Sequence, residues 1–396
     1  MIKPALHHVS RRSFVKAGGA LAAAALLGVP RKAKAAPAAN VLSTTVISHK
    51  AHNYHGWPTI ARTRAGRLLV AWSGGREGHV CPFGRVDYMT SDDGGESWAW
   101  PRTLLDSAID DRDAGVVETA QGSILVTTFT SLAYEHVLAT GEKKAPGEQG
   151  AWSAGRLQSW RAAQRRFTAE QRKADLGEWM IRSTDGGLTW SARYPSIVNS
   201  PHGPIQLADG RLLYAGRQLW SKPNRVGVCE STDDGQSWHW LAEIPARPGD
   251  DAESYHELHA TEAADGRIVV HIRNHNKTNN DETIQTESTD GGKTWAVPRP
   301  IGVWGLPSAL TRLRNGNLLM TYGHRRAPLG NQARVSTDHG KTWSEPLMIS
   351  TDGTSGDLGY PSTVQLDDGT LVTVWYEAMK GDWRAVLRQA RWKLNM

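Results

Sequence analysis

His55, His79, the run Asp110-Asp111-Arg112-Asp113, His202, His259 and His324 recur at one place in successive repeats of this chain, the starts of strands that would face a common pocket. Residues of these types move protons. Imidazole exchanges one near neutral pH, and a partly desolvated carboxyl rises toward the same range. His79, Glu77 and Asp113 are therefore the candidates for a general acid, with His55, His202 and His259 as candidate substrate contacts. The chain has no paired-Cys motif or Asp-rich calcium loop in the form expected, so neither metal nor cofactor is expected.

The elements that must position these residues are legible from two interleaved repeats. SDDGGESW (Ser91 to Trp98), STDGGLTW (Ser183 to Trp190), STDDGQSW (Ser231 to Trp238), STDGGKTW (Ser288 to Trp295) and STDHGKTW (Ser336 to Trp343) share Ser-x-Asp-x-Gly-x-Ser/Thr-Trp. In such a turn the Asp carboxylate accepts turn amides, the Gly supplies a backbone angle that a side chain resists, and the Trp anchors the turn against neighbouring strands. Apart from one long gap the copies lie about 50 residues apart, the length of a four-stranded sheet with its turns. The second repeat is a hairpin centred on Ala65-Gly66, Gln121-Gly122, Asp209-Gly210, Asp265-Gly266, Asn315-Gly316 and Asp368-Gly369. An x-Gly pair between alternating apolar strands is a strong hairpin signal.

Six hairpins predict six blades. The fold class is all-β, a six-bladed β-propeller, with the strand at Val41–Ser48 expected to complete the last blade so that no sheet edge stays raw. The long gap holds Leu157 to Ala174, charged and free of Gly and Pro, which predicts a helical insertion in the second blade; Gly141 to Gly155 before it reads as a flexible loop.

Residues 1–35 stand apart from this domain, which spans 36–396. Ser10-Arg11-Arg12-Ser13-Phe14 precedes the apolar run Ala17 to Val29 and the small-residue site Ala33-Lys34-Ala35, which resembles a twin-arginine export signal. Thirteen apolar residues are too few to span a bilayer, so cleavage and a periplasmic or secreted location are expected. The signal also carries the apparent basicity. Of the 46 Lys and Arg, seven lie in residues 1–35, leaving 39 bases against 40 acids, so bulk charge gives no reason to expect nucleic acid, and no later segment is long and apolar enough for a membrane span. Cys81 and Cys229 alone cannot form a disulfide framework.

A propeller with these boxes resembles the bacterial exo-α-sialidase superfamily from about Asn53 onward. Two further stretches carry the resemblance: Glu257-Leu258-His259-Ala260-Thr261-Glu262 with Ile272-Arg273-Asn274, and Asp357-Leu358-Gly359-Tyr360-Pro361-Ser362. The resemblance implies a nucleophile at Tyr360, its carboxylate partner at Glu262, and a substrate-carboxylate ligand at Arg273. A phenol is a poor nucleophile at neutral pH unless a carboxylate takes its proton, and a neutral nucleophile avoids repulsion from an anionic sugar. The chain departs from the pattern in the first blade, where Tyr54-His55-Gly56-Trp57-Pro58 lacks the family's first carboxylate-binding Arg. The loop Gly74 to Pro82 likewise lacks its general-acid Asp. Arg325 or Arg326 is the counterpart of the third Arg, and Arg76 and Arg112 join them as candidate anion ligands. Trp57, Trp220, Trp304 and Trp375 are candidates to stack on sugar faces.

The expected function is an exported, sialidase-like glycoside hydrolase that removes a terminal acidic sugar from a glycan. The alternatives are a polysaccharide lyase acting on uronic-acid glycans, and a carbohydrate-binding propeller without turnover.

Overall fold

Each x-Gly pair closes its hairpin with the same two backbone bonds. Thr63 donates its N–H to Arg67 and Gly66 donates to Thr63, and the pattern recurs at Thr119, Leu207, Ala263, Leu313 and Leu366. The six turn glycines sit at φ between 80° and 92°, a region that a Cβ disfavours. From these hairpins the computed structural model, which describes residues 36–49, 52–279 and 282–396, builds six four-stranded antiparallel sheets. The innermost strands are Tyr54–Arg62, Asp110–Glu118, Ile205–Gln206, Tyr255–Glu262, Ser308–Arg312 and Leu358–Gln365. They form the ring of a propeller, with Leu358–Gln365 of the sixth blade against Tyr54–Arg62 of the first. The export signal read from residues 1–35 lies outside the described residues.

Closure takes the expected form. Ala38–Val46 pairs antiparallel with Ala385–Asn395, from Ala38 opposite Asn395 to Val46 opposite Arg388 with one register slip between Val41 and Ser43, and so supplies the outermost strand of the last blade. Alternation along the strands places one apolar cluster between each pair of neighbouring blades. Ile60, Val70 and Trp72 meet Val372, Val374 and Leu387 between blades one and six, and five similar clusters fill the remaining junctions. Each fully buried Val or Leu contributes about 1.5–3 kcal/mol, so stability is shared around the ring.

The Ser-x-Asp turns behave as their composition requires. In the first, Asp93 accepts from Ser97 N (3.0 Å), Ser97 Oγ (2.6 Å) and Ser91 Oγ (2.7 Å), while Gly95 N donates to Ser91 Oγ (2.9 Å). The hydrogen bonds from Ser97 pull the Asp93 carboxyl down to about 2. Two of the closing tryptophans hydrogen-bond to a side chain of the preceding blade, Trp98 Nε1 to Gln389 Oε1 at 3.0 Å and Trp343 Nε1 to Gln285 Oε1 at 2.9 Å. These turns and the x-Gly hairpins share one face; the inner strands start at the other, here termed the mouth.

The insertion leaves the mouth face between the second and third strands of blade two. It comprises α1 (Ala133–Glu142), α2 (Ala154–Arg165) and α3 (Ala169–Ala174), where one helix over Leu157 to Ala174 was expected. The break has a local cause. Thr168 caps α3 by accepting from Gln171 N, and Gln171 Oε1 accepts from Thr168 N, so a Thr followed three residues later by Gln starts a new helix. Tyr134, Leu138 and Trp160 bury one face of the insertion against Cys81 and Ile109. Cys81 and Cys229 are both buried and unpaired.

Candidate functional site

Six residues ahead of the N–H that closes each x-Gly turn stand Trp57, Asp113, Pro201, Glu257, Pro307 and Tyr360, one per blade. At four of these positions a non-glycine residue has a left-handed backbone: φ is 54° at Trp57, 50° at Asp113, 45° at Glu257 and 53° at Tyr360. Each of the four lies where strand register slips, between Gly56 and Thr59, Arg112 and Gly115, His256 and His259, and Gly359 and Ser362. A bulge of this kind re-aims one side chain, and the left-handed backbone costs about 1–3 kcal/mol at each site. The other two positions are proline, whose ring fixes φ near −65° and prevents the same turn. One backbone device, used four times, thus assembles a phenol, two carboxyls and an indole around the axis.

Tyr360 Oη donates to Glu257 Oε1. Arg273, opposite His256 on the next strand of blade four, donates Nη1 to Glu257 Oε2 at 2.5 Å and to Tyr360 Oη at 3.1 Å. Burial, reinforced by the Glu257 charge, holds the Tyr360 phenol well above its usual range. Burial also opposes ionisation of Glu257, yet the Arg273 charge and the hydrogen bonds from Tyr360 and Arg273 bring its carboxyl down to about 2. The resting site is a neutral phenol, an anionic glutamate and a guanidinium joined through shared hydrogen bonds.

Glu262 is not the partner of Tyr360. It lies at the far end of the same strand, where its carboxylate accepts from Ala208 N at 2.6 Å. The inner strand runs away from the mouth, so a residue next to the hairpin stands on the wrong face. The signal that finds Glu257 is spacing: it is as far ahead of Ala263 as Tyr360 is ahead of Leu366.

Asp113 does reach the ring. The residue is 7% exposed, and burial, partly offset by Arg112 and reinforced by the Glu257 charge, pushes its carboxyl up to about 7. The His202 ring lies 6.4 Å from that of Tyr360 and 5.2 Å from that of His259. Burial lowers His202 to about 4 and also lowers His259, whose Nδ1 accepts from Leu310 N at 2.8 Å. Both imidazoles line an axial cavity of about 260 Å³ with Thr59, Ser362, Arg62 and Glu118. They sit beneath the ring of catalytic candidates and not on its mouth side, which corrects the expectation that they contact a substrate there.

Two other candidates are removed by burial. His55 is 1% exposed, bonded through Nδ1 to Ser48 Oγ at 2.8 Å and packed on Trp72. The Arg76 side chain is fully buried; it pairs with both oxygens of Asp110 (2.6 and 2.9 Å) and donates to the carbonyls of Gly78, His79 and Asp111. It braces the mouth from within and cannot bind a ligand. Glu77 also serves structure, accepting from Trp160 Nε1 at 2.6 Å and pairing with Arg156. Trp57 and Trp375 are buried, whereas Trp220 and Trp304 remain 43% and 36% exposed.

Around the ring the remaining candidates face the mouth. Arg112 lies over the Trp57 indole at 4.5 Å and donates to His79 O at 3.2 Å. Arg325 donates Nε to Leu358 O at 2.9 Å, and Arg326 is exposed beside the Trp304 ring at 4.9 Å. The His79 side chain is 49% exposed, with Nδ1 3.1 Å from both Asp357 Oδ1 and Tyr54 Oη. Asp357, Tyr54 and Tyr376 had not been singled out from the sequence.

Residues 150–373, more than half of the chain, match the family model described as a BNR repeat-like domain. The chain belongs to the BNR repeat-like domain family. Among solved structures, this BNR repeat-like propeller is similar to a protein of unknown function from Dyadobacter fermentans, with 21% identity and a TM-score of 0.71, over 90% of this chain and 99% of that one. It is also similar to the Hadza microbial sialidase Hz136, with 19% identity and a TM-score of 0.60, over 88% and 68% of the two chains. A third similar structure is the intramolecular trans-sialidase from Ruminococcus gnavus, with 13% identity and a TM-score of 0.59, over 86% and 94%. At these identities the likeness is one of fold. No curated protein sequence matches the chain. Residues 8–28 match the twin-arginine signal sequence, and among the described residues no helix is long and apolar enough to cross a membrane. The BNR repeat-like protein is therefore exported through the twin-arginine pathway, to the periplasm or beyond.

Proposed function

We propose that the mature propeller, residues 36–396, is a glycoside hydrolase that removes a terminal acidic sugar from a glycan by double displacement. The hydrogen-bonded chain Arg273–Glu257–Tyr360 carries this reading. Tyr360 attacks the anomeric carbon while Glu257 takes its proton. A phenol held well above its usual range stays neutral until the new bond forms, so it meets an anionic sugar without charge repulsion. Arg273 supports the Glu257 charge and, with Arg325 and Arg112, gives the mouth the positive potential that an acidic sugar requires. The first-blade stretch Tyr54 to Pro58, where the resemblance places an Arg, has none, so the anion is held by fewer guanidinium groups than in the family pattern. The likeness in fold to proteins named as sialidases adds support.

The test is incubation with a panel of sialosides, uronic-acid oligosaccharides and neutral glycans, followed by trapping with a fluorinated, slowly released analogue of the sugar that is freed. The expected result is release of an acidic monosaccharide and a covalent adduct on the peptide containing Tyr360. Turnover with the adduct elsewhere, or an absorbance rise near 230 nm from an unsaturated product, would overturn the reading.

A further inference from the structure

The carboxylate of Asp357 is held by three donors from three elements. Tyr54 Oη donates to Oδ2 at 2.9 Å, Tyr376 Oη donates to Oδ1 at 3.1 Å, and His79 Nδ1 lies 3.1 Å from Oδ1. Burial opposes ionisation of Asp357, but the hydrogen bonds and charge of its partners, His79 foremost, hold it below the usual carboxylate range. An ionised carboxylate only accepts, so the proton in the His79–Asp357 contact belongs to Nδ1. Tyr54 has spent its single proton on Asp357, so toward the same imidazole nitrogen its oxygen also accepts, at 3.1 Å. All three contacts are satisfied by one tautomer of His79, with Nδ1 protonated and Nε2 left as the nitrogen that exchanges a proton.

The rest of the surroundings fixes the residue without consuming Nε2. The backbone carbonyl of His79 accepts from Arg76 at 3.0 Å and from Arg112 at 3.2 Å, and the imidazole and the Trp57 ring form a T-shaped contact with centroids 4.9 Å apart. Two residues away, Glu77 is clamped by Trp160 and Arg156 of α2, so the helical insertion anchors the same loop. The charged or titratable groups facing the imidazole and its backbone are Asp357 and Tyr376 from blade six, Tyr54 from blade one, and Arg76 and Arg112 at its carbonyl.

From this arrangement we infer that His79, oriented by Asp357 and Tyr54, is the acid and base of the site, in place of a carboxylic acid. The inference rests on Tyr360 acting as nucleophile. Position favours His79 over Asp113. Asp113 lies in the bulge ring with Tyr360, on the nucleophile's level and 7% exposed, whereas His79 projects from a loop beyond the strand ends with half its side chain open. A departing group leaves on the side away from the nucleophile. In the first step Nε2–H of the imidazolium protonates the glycosidic oxygen as its bond to the anomeric carbon breaks; the Tyr360–carbon bond forms and the phenolic proton passes to Glu257. In the second, neutral Nε2 takes a proton from water as its oxygen bonds to that carbon; the Tyr360–carbon bond breaks and Glu257 returns its proton to Tyr360. The sum is addition of water across one glycosidic bond, with every side chain restored.

The experiment compares the wild-type protein, His79→Gln, Asp113→Asn and Tyr360→Phe on two glycosides of one sugar, one with an alkyl leaving group and one with an acidic aryl leaving group. His79→Gln is expected to lose about 10²–10³-fold in kcat/KM on the alkyl glycoside and less than about tenfold on the aryl one, and to lose one limb of the pH profile. Equal losses on both, or this leaving-group dependence appearing in Asp113→Asn instead, overturn the inference while leaving the nucleophile intact. Full activity in Tyr360→Phe is a different failure, that of the underlying reading. Nitrogen-15 NMR of labelled protein gives an answer without turnover: an Nδ1–H, Nε2-unprotonated neutral His79 is expected, and the opposite tautomer overturns the assignment.

Discussion

Tyr360 Oη and Glu257 Oε1 are hydrogen-bonded across 103 residues of sequence, and both side chains reach that bond from the same left-handed bulge in blades on different sides of the axis. The contact joins blade six to blade four through the centre of the ring. It therefore needs blades four, five and six packed side by side around the axis.

Removing the phenol should stop the chemistry and spare the fold. Tyr360→Phe leaves Glu257 paired with Arg273, so its melting temperature should stay close to that of the wild type while kcat falls by at least about 10²-fold. Glu257→Gln should lose a similar factor. Glu262→Gln, at the opposite end of the strand, should retain activity within about twofold; steady-state kinetics on whichever substrate the panel identifies separate the three.

Two buried carboxyls make stability fall as pH rises. Burial pushes Asp111 up to about 8 and Asp113 up to about 7, from 3.8 when unperturbed. The folded state therefore binds protons that the unfolded chain has released, so this contribution is complete below about pH 4 and is lost as pH climbs through 7 to 8. Asp113→Asn and Asp111→Asn should each flatten the decline of melting temperature between pH 4 and 8. A steeper decline in either variant would show the sign to be wrong.

Arg76 and Asp110 form a buried pair whose separation should be costly. Arg76→Leu strands a buried carboxylate and should destabilise the fold by about 3–5 kcal/mol. The double variant Arg76→Leu, Asp110→Leu should recover much of that loss, since both fully buried charges are then gone. Urea denaturation of the four proteins in the cycle measures the coupling, and additive losses would mean that the bidentate contact carries little of it.

The Ser-x-Asp turns should matter for stability alone. Asp233 accepts from Ser237 N (2.9 Å), Ser237 Oγ (2.6 Å) and Ser231 Oγ (2.7 Å) on the face away from the mouth. Asp233→Ala should cost about 1–2 kcal/mol in chemical denaturation and leave kcat unchanged. A change in kcat without a change in stability would contradict the assignment of these turns to the scaffold.

The sequence by itself determined the number of blades, their hairpins, the closure of the last blade by an N-terminal strand and the exported location, because each depends on local chemistry: a glycine at a turn, an Asp that accepts neighbouring amides, a twin-arginine run before an apolar stretch. It also brought Tyr360, Arg273 and Asp113 into view. It placed the carboxylate partner at Glu262, because proximity to the hairpin is a statement about distance along the chain, while the contact depends on which end of the strand faces the mouth. Nor did residue type separate Arg76 and His55, which brace the interior, from Arg112 and His79, which face outward. The tertiary structure decided those matters, through the phase of a bulge that turns one residue per strand toward the axis and through burial that sorts like side chains into braces and ligands. Both are properties of neighbouring blades packed together, and no single strand carries them.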